Sequence, residues 1–133
     1  MGAAQAEVTG KAGETPALRI LVVDDEPLVA AAIRMVLDHH EVSVAAGGES
    51  ALAELAGATF DVVLCDLMMP RMSGMQLYER VRTLFPGMER RFVFMSGGVF
   101  TDAVDRFLRC VPNPRVDKPL DLEALDHALH AVG

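Results

Sequence analysis

The sequence contains little of what marks secreted or membrane-bound proteins. Its two cysteines, Cys65 and Cys110, are too few for a disulfide framework. Cys65 also lies inside an apolar run, where a reduced thiol packs as a small hydrophobe. Residues 1–17 contain no continuous apolar stretch, so they resemble neither a signal peptide nor a membrane anchor. We therefore expect a cytoplasmic protein without membrane insertion, in which residues 1–17 form a flexible tail or linker.

Basic residues are also scarce. The chain has 12 lysines and arginines against 19 aspartates and glutamates, which gives a formal net charge of -7. A field of this sign repels phosphate backbones, so we expect no direct binding of nucleic acid. Nucleotide-binding motifs are missing as well. Neither GxxxxGK(S/T) nor GxGxxG accompanies Gly47 and Gly48, which predict a turn rather than a phosphate cradle.

Short apolar runs alternate with amphipathic segments along the rest of the chain. The runs predict five strands, at residues 18–23, 41–46, 61–66, 91–96 and 115–117. The segments between and after them predict five helices, with apolar stripes that include Leu28, Ile33, Leu37, Leu77, Val81, Leu84, Val104, Phe107, Leu122, Leu125 and Leu129. Strands that are apolar throughout are covered on both faces. The sequence therefore predicts one α/β domain over residues 18–133, with a doubly wound five-stranded parallel sheet.

Polar side chains stand at the carboxyl ends of four predicted strands. Asp24 and Asp25 follow the first strand, Asp66 ends the third, Ser96 ends the fourth and Lys118 follows the fifth. Ligands of open parallel sheets bind beyond the carboxyl ends of the strands, so we expect these five side chains to converge. Taken singly, the acids are ordinary helix starts, and the lysine is an ordinary surface residue. The expected convergence is what favours a functional site.

Three clustered carboxylates predict a bound cation. They repel one another unless a positive ion lies among them, and oxygen-only ligands without histidine or cysteine indicate Mg²⁺. With the ion bound, one carboxylate can attack phosphorus while the lysine neutralises the phosphoryl oxygens and the serine donates a hydrogen bond. The predicted product is an aspartyl phosphate.

Four motifs in this order and spacing resemble the response-regulator receiver domain of two-component signalling: LVVDDEP, DLMMPRMSG, FMSGG and DKPLDLEAL. The resemblance covers residues 18–130. It implies a flavodoxin-like fold with strand order 2-1-3-4-5. It also implies a phosphoacceptor domain of a phosphorelay, which catalyses its own phosphorylation and dephosphorylation and is not otherwise an enzyme.

The resemblance assigns roles to the residues at the strand ends. Asp66 would be the phosphoacceptor and a metal ligand, Asp25 a direct Mg²⁺ ligand and Asp24 a ligand through water. The backbone carbonyl of Met68 would complete the protein ligands, with Mn²⁺ as a substitute ion. Ser96 and Lys118 would contact the phosphoryl group, and the bond from Lys118 to Pro119 would be cis.

The resemblance also implies partners. A histidine kinase or phosphotransfer protein would donate the phosphoryl group, and an unknown downstream protein would respond to it. We expect a monomer or weak homodimer that acts alone or is the C-terminal receiver of a hybrid histidine kinase.

Three positions depart from the usual receiver pattern. Arg115 stands where receivers commonly carry the tyrosine or phenylalanine that turns inward on activation, and we expect it to stay at the surface as a partner contact. Met68 and Gly98 occupy positions that modulate phosphoryl lifetime, and neither can position a hydrolytic water. We therefore expect slow self-dephosphorylation.

Two alternatives differ in class from a receiver. A phosphatase of the haloacid dehalogenase type also uses an aspartyl phosphate and Mg²⁺, but it needs a second acid two residues after the nucleophile, where this chain has Met68. A receiver-like module that binds partners without phosphorylation is kept open by Arg115.

Overall fold

A five-stranded parallel sheet forms the centre of the computed structural model, which describes residues 16–97 and 101–133. The strands are β1 Arg19–Val23, β2 Glu41–Ala45, β3 Val62–Asp66, β4 Phe92–Ser96 and β5 Arg115–Asp117. Their order is β2-β1-β3-β4-β5, and every neighbouring pair is parallel, which confirms the predicted topology. All five residues of β3 and of β4 are buried, because helices cover both faces of the central strands.

Five helices connect and follow the strands: α1 Pro27–Val36, α2 Gly48–Gly57, α3 Gly74–Leu84, α4 Asp102–Cys110 and α5 Leu122–Val132, with a 3-10 turn at Met88–Arg91. Side-chain caps mark three of the helix starts. Ser73 and Gln76 form a reciprocal capping box at α3, and the side chains of Thr101 and Asp121 accept backbone hydrogen bonds at α4 and α5. Within the described residues, no helix combines the length and apolar character that a membrane crossing requires.

The core has two layers, one on each face of the sheet. Helices α2, α3 and α4 bury residues such as Leu52, Leu77 and Val104 on one face. Helices α1 and α5 bury Ile33, Leu125 and other residues on the opposite face. The site at the strand ends therefore rests on a sheet that is packed from both sides.

Some predicted details are wrong. Leu28, Leu84 and Leu122 were expected on buried stripes, but they are 85%, 52% and 58% exposed. Leu84 and Leu122 are the last residue of α3 and the first residue of α5. Leu28 shares an exposed side of α1 with Ala32 and Val36, so the buried stripe of α1 is narrower than its apolar pattern. Gly48 was expected in a turn, but it is the first residue of α2 and is buried against Met72.

The predicted boundary between tail and domain stays a prediction, because only Pro16 and Ala17 of residues 1–17 belong to the described part of the chain. Gly98 also lies outside the described residues.

Candidate functional site

Three carboxylates come together at the carboxyl edge of the sheet. Asp24 and Asp25 follow β1, Asp66 ends the adjacent strand β3, and ligand oxygens of all three lie within 4.8 Å of one another. Lys118, directly after β5, reaches across to this cluster, with its Nζ 3.0 Å from Asp24 Oδ2 and 3.4 Å from Asp66 Oδ2. The structure thus brings together four of the side chains that the sequence placed at strand ends.

Ser96 is the fifth of these residues. It is buried at the end of β4, the strand between β3 and β5. Its backbone carbonyl accepts a hydrogen bond from the Lys118 amide at 2.8 Å. This contact fixes the end of β4 to the residue that carries the ammonium group.

Both carboxylate oxygens of Asp24 have partners. Oδ2 accepts from Lys118 Nζ, and Oδ1 accepts from the backbone N–H of Glu26 at 2.9 Å. The backbone N–H of Asp24 donates to the Ala45 carbonyl at 3.1 Å, which ties it to the neighbouring strand β2. Asp24 is therefore a buried and firmly held acid.

Asp66 is buried and less completely paired. Its Oδ1 accepts a long hydrogen bond of 3.4 Å from the Met68 amide. Burial raises the pKa of the Asp66 carboxyl above its usual value, the charge of Lys118 opposes this effect, and the charge of Asp24 adds to it. The ionised form of Asp66 is thus held in a site that does not fully compensate its charge.

Lys118 carries the positive charge of the site. Burial favours the neutral amine, but the hydrogen bond to Asp24 and the charge of Asp66 outweigh it and raise the pKa of Lys118 above its usual value. Lys118 is therefore protonated at neutral pH. One ammonium group faces three carboxylates, so the site keeps an excess of negative charge.

Glu26 is a further member of the site to which the sequence analysis gave no role. Its Oε1 lies 4.0 Å from Lys118 Nζ, and its side chain is largely exposed. Its position next to Asp25 in the chain was the signal that could have indicated it.

The oxygen-rich cluster fits a hard divalent cation. Carboxylate oxygens are the ligands that Mg²⁺ prefers, and an excess of negative charge favours its binding. Among residues 16–97 and 101–133, Asp24, Asp25 and Asp66 are the only group of three or more acidic, histidine or cysteine side chains close enough together to share an ion.

The loop after Asp66 approaches the site very closely. The Gly74 amide donates to the Leu67 carbonyl at 2.9 Å, and a Cβ on Gly74 would overlap the Asp66 carbonyl oxygen and lie 2.9 Å from Leu67 Cα. Only glycine fits this contact without a shift of the backbone.

The peptide bond between Lys118 and Pro119 is cis, as the resemblance to receiver domains implied.

Arg115 lies at the surface on β5. Its side chain is exposed, and its Nε lies 3.4 Å from Asp117 Oδ1. Arg115 was expected to stay at the surface, unlike the aromatic residue that turns inward in other receivers, and its exposed side chain agrees with this expectation.

Comparison with known proteins identifies the family. The model for the response regulator receiver domain matches residues 20–130. The virulence sensor protein BvgS of Bordetella pertussis is 35% identical over 120 residues, which cover 85% of this chain and 10% of BvgS. The sensor histidine kinase AruS of Pseudomonas aeruginosa is 31% identical over 130 residues, which cover 94% of this chain and 13% of AruS. The chain thus spans only a small part of these relatives.

A solved structure gives the same result. The chemotaxis protein CheY4 of Vibrio cholerae superimposes with a TM-score of 0.76 at 26% identity, and the match covers 89% of this chain and 100% of CheY4. The sheet order, the acidic cluster and the matched sequence span therefore agree, and the chain belongs to the response regulator receiver domain family.

Proposed function

We propose that the chain accepts a phosphoryl group on Asp66 from a phosphohistidine of a histidine kinase or phosphotransfer protein, and that this modification switches a partner interaction. The observation that carries the proposal is the setting of Asp66. Its carboxylate lies beside two further acids and 3.4 Å from the Lys118 ammonium nitrogen. An anionic nucleophile with a cation at this distance suits phosphoryl transfer.

The proposed ion is Mg²⁺, with Mn²⁺ as a substitute. Asp25, Asp66 and the backbone carbonyl of Met68 would hold it directly, and Asp24 would hold it through water. The two hydrogen-bonded oxygens of Asp24 support the indirect role, since Lys118 and the Glu26 amide already engage them. When bound, the ion would neutralise charge on the phosphoryl oxygens.

The chain's own residues would carry the transfer. A carboxylate oxygen of Asp66 forms the new bond to phosphorus as the phosphorus–nitrogen bond of the donor histidine breaks, and the imidazole leaves with its electron pair. The Lys118 ammonium pairs with a phosphoryl oxygen, and the Ser96 hydroxyl donates a hydrogen bond to another. Hydrolysis of the aspartyl phosphate by water returns Asp66 and inorganic phosphate.

The donor protein would dock over α1 and the start of α5. An apolar groove of about 400 Å³ lies there, and Lys118 itself is part of its lining together with Leu28, Val36 and Leu122. Leu28 and Leu122, two of the three leucines that were expected to be buried, thus form an exposed surface that is continuous with the site. An apolar surface of this kind fits a helical donor that must bring its histidine to Asp66.

Two departures from the usual receiver pattern shape the proposal. Met68 has an exposed thioether beside Asp66 that cannot orient a water, so the aspartyl phosphate should hydrolyse slowly, and its rapid loss in Mg²⁺ buffer would contradict this. Arg115, exposed and close to Asp117, would serve as a surface contact for the downstream partner.

The test compares intact masses after incubation with acetyl phosphate and Mg²⁺. We expect the wild-type chain to gain one phosphoryl group, and we expect Asp66→Asn to gain none. Asp38→Asn changes an exposed aspartate in the turn after the C-terminal end of α1 and should behave like the wild type. A wild-type chain that stays unmodified would instead favour a module that binds partners without phosphorylation.

A further inference from the structure

A second groove, with no role in the proposed phosphoryl transfer, runs between α3 and α4. Its volume is about 660 Å³, and its apolar lining consists of Met72, Met75, Leu84 and Phe107. Phe107 is held in place by edge-on contacts with Tyr78 and Phe94, at ring-centroid distances of 5.4 and 5.3 Å. The groove therefore has a fixed aromatic floor and flexible methionine walls that can adapt to a bound surface.

The groove is cationic although the protein is acidic. Arg71 and Arg80 line it, and neither forms an ion pair with any residue in the described part of the chain. The acid in the lining, Glu79, is engaged by Arg82 at 2.7 Å. The lining thus presents two uncompensated guanidinium groups on a chain with a formal net charge of -7.

We propose that this groove docks an amphipathic helix of a partner protein whose apolar face is flanked by acidic residues. A cleft between two helices accepts a third helix through apolar anchors on successive turns. Arg71 lies in the loop before α3, and Arg80 is the seventh residue of α3, about 9 Å along the axis from its first residue, so the two guanidinium groups are attached well apart along the groove. Two carboxylates about two turns apart on the partner helix match this spacing.

The two helices that line the groove, α3 and α4, come directly after β3 and β4 in the chain, and these strands end at Asp66 and Ser96. Helix α3 begins at Gly74, eight residues after Asp66, and the loop between them holds Met72, whereas α4 follows the strand that ends at Ser96. A movement of Asp66 or Ser96 can thus shift α3 or α4 and so alter the shape of the groove. This coupling rests on the proposed function, but the docking itself does not.

The experiment measures docking by fluorescence anisotropy on the full chain without a phosphoryl donor, so its failure is separate from that of the phosphorylation assay. The probe is a labelled synthetic helical peptide of about 15 residues, with leucines on one face and two glutamates about two turns apart beside them. A second peptide carries lysines in place of the glutamates. We expect the glutamate peptide to bind at least about tenfold more tightly.

Charge reversal in the protein supplies the specificity control. Arg80→Glu should weaken binding of the glutamate peptide by about tenfold and improve binding of the lysine peptide. Arg90→Glu reverses an exposed arginine of the 3-10 turn, away from the groove, and should leave both affinities unchanged. Amide NMR shifts on binding should map to α3 and α4 rather than to α1.

The proposal would be overturned by equal affinity for the two peptides, by an Arg90→Glu effect as large as that of Arg80→Glu, or by shifts confined to α1 and α5. Dilution-dependent shifts of α3 and α4 without peptide would assign the groove to a second copy of the chain, and would overturn the proposal as well. Circular dichroism verifies that each variant is folded.

Discussion

The Lys118 ammonium nitrogen lies 3.0 Å from Asp24 Oδ2, although the two residues are 94 positions apart in the chain. This contact joins the first and the last strand of the domain across the carboxyl edge of the sheet. It also supplies the positive charge that partly compensates the acids Asp24 and Asp66, both of which are buried.

Replacement of Lys118 by methionine should therefore destabilise the protein. We expect the free energy of unfolding of Lys118→Met to fall by about 1–3 kcal/mol, because buried carboxylates lose their charged hydrogen-bond donor. Urea denaturation in the presence of EDTA measures this change. Arg34→Met removes an exposed cation of α1 and should change the free energy of unfolding by less than about 0.5 kcal/mol. Equal effects of the two substitutions would contradict the role given to Lys118.

Mg²⁺ should stabilise the folded chain by binding to it. At a concentration 100 times its Kd, a ligand specific for the folded state raises the free energy of unfolding by about 2.7 kcal/mol. We expect thermal denaturation to show this rise for the wild type and for Asp38→Asn, and to show little of it for Asp25→Asn. A full Mg²⁺ effect in Asp25→Asn would exclude Asp25 as a direct ligand.

Gly74 should not tolerate a side chain. A Cβ at this position would overlap the Asp66 carbonyl and lie 2.9 Å from Leu67 Cα, so the end of β3 must shift. We expect Gly74→Ala to lower the free energy of unfolding by about 1–3 kcal/mol and to slow phosphorylation by acetyl phosphate.

Gly57 provides the matched control, because nothing lies within 4 Å of a Cβ built on it at the end of α2. Gly57→Ala should be neutral or stabilise the protein by up to about 1 kcal/mol. If urea denaturation gives the two alanine variants the same stability, the close approach of Gly74 to the strand is not what requires glycine.

Acid should destabilise the fold through His40. Its Nδ1 accepts a hydrogen bond of 2.9 Å from the Leu18 amide, an interaction that requires the neutral ring. Burial, followed by the charges of His39 and His130, lowers the pKa of His40 from 6.5, against the opposite effect of Asp126. As the pH falls, the His40 ring is therefore protonated at a higher pH in the unfolded chain than in the folded chain. The contribution of neutral His40 to the free energy of unfolding is fully present above pH 6.5. It is lost progressively as the pH falls below 6.5 toward the pKa of His40 in the folded chain.

The test is the free energy of unfolding measured between about pH 8 and pH 5. His40→Asn keeps an acceptor near the Leu18 amide but cannot titrate, so its stability should fall less steeply with acid than that of the wild type. His127→Gln, at an exposed position on α5, should follow the wild-type curve. A His40→Asn curve parallel to the wild type would assign the acid sensitivity to other groups.

Local chemistry was enough to predict much of this molecule. The apolar runs of β3 and β4 and the acids at strand ends are short-range signals, each of which depends on a few consecutive residues. The rule that parallel strands end at one edge of the sheet then placed Asp24, Asp66 and Lys118 together.

Other features could not be read from such signals, because they depend on how far each element extends past its neighbours and on contacts between distant parts of the chain. Periodicity shows which residues of a helix are apolar but not how many of them the sheet and its neighbours cover, so Leu28 and Leu122 were expected to be buried. The same limit applies to the approach of Glu26 to Lys118, to the hydrogen bond between His40 and Leu18, and to the groove beneath Arg80. Each of these arises only when the helices and strands have packed, since packing alone sets the distance between residues that the chain keeps apart.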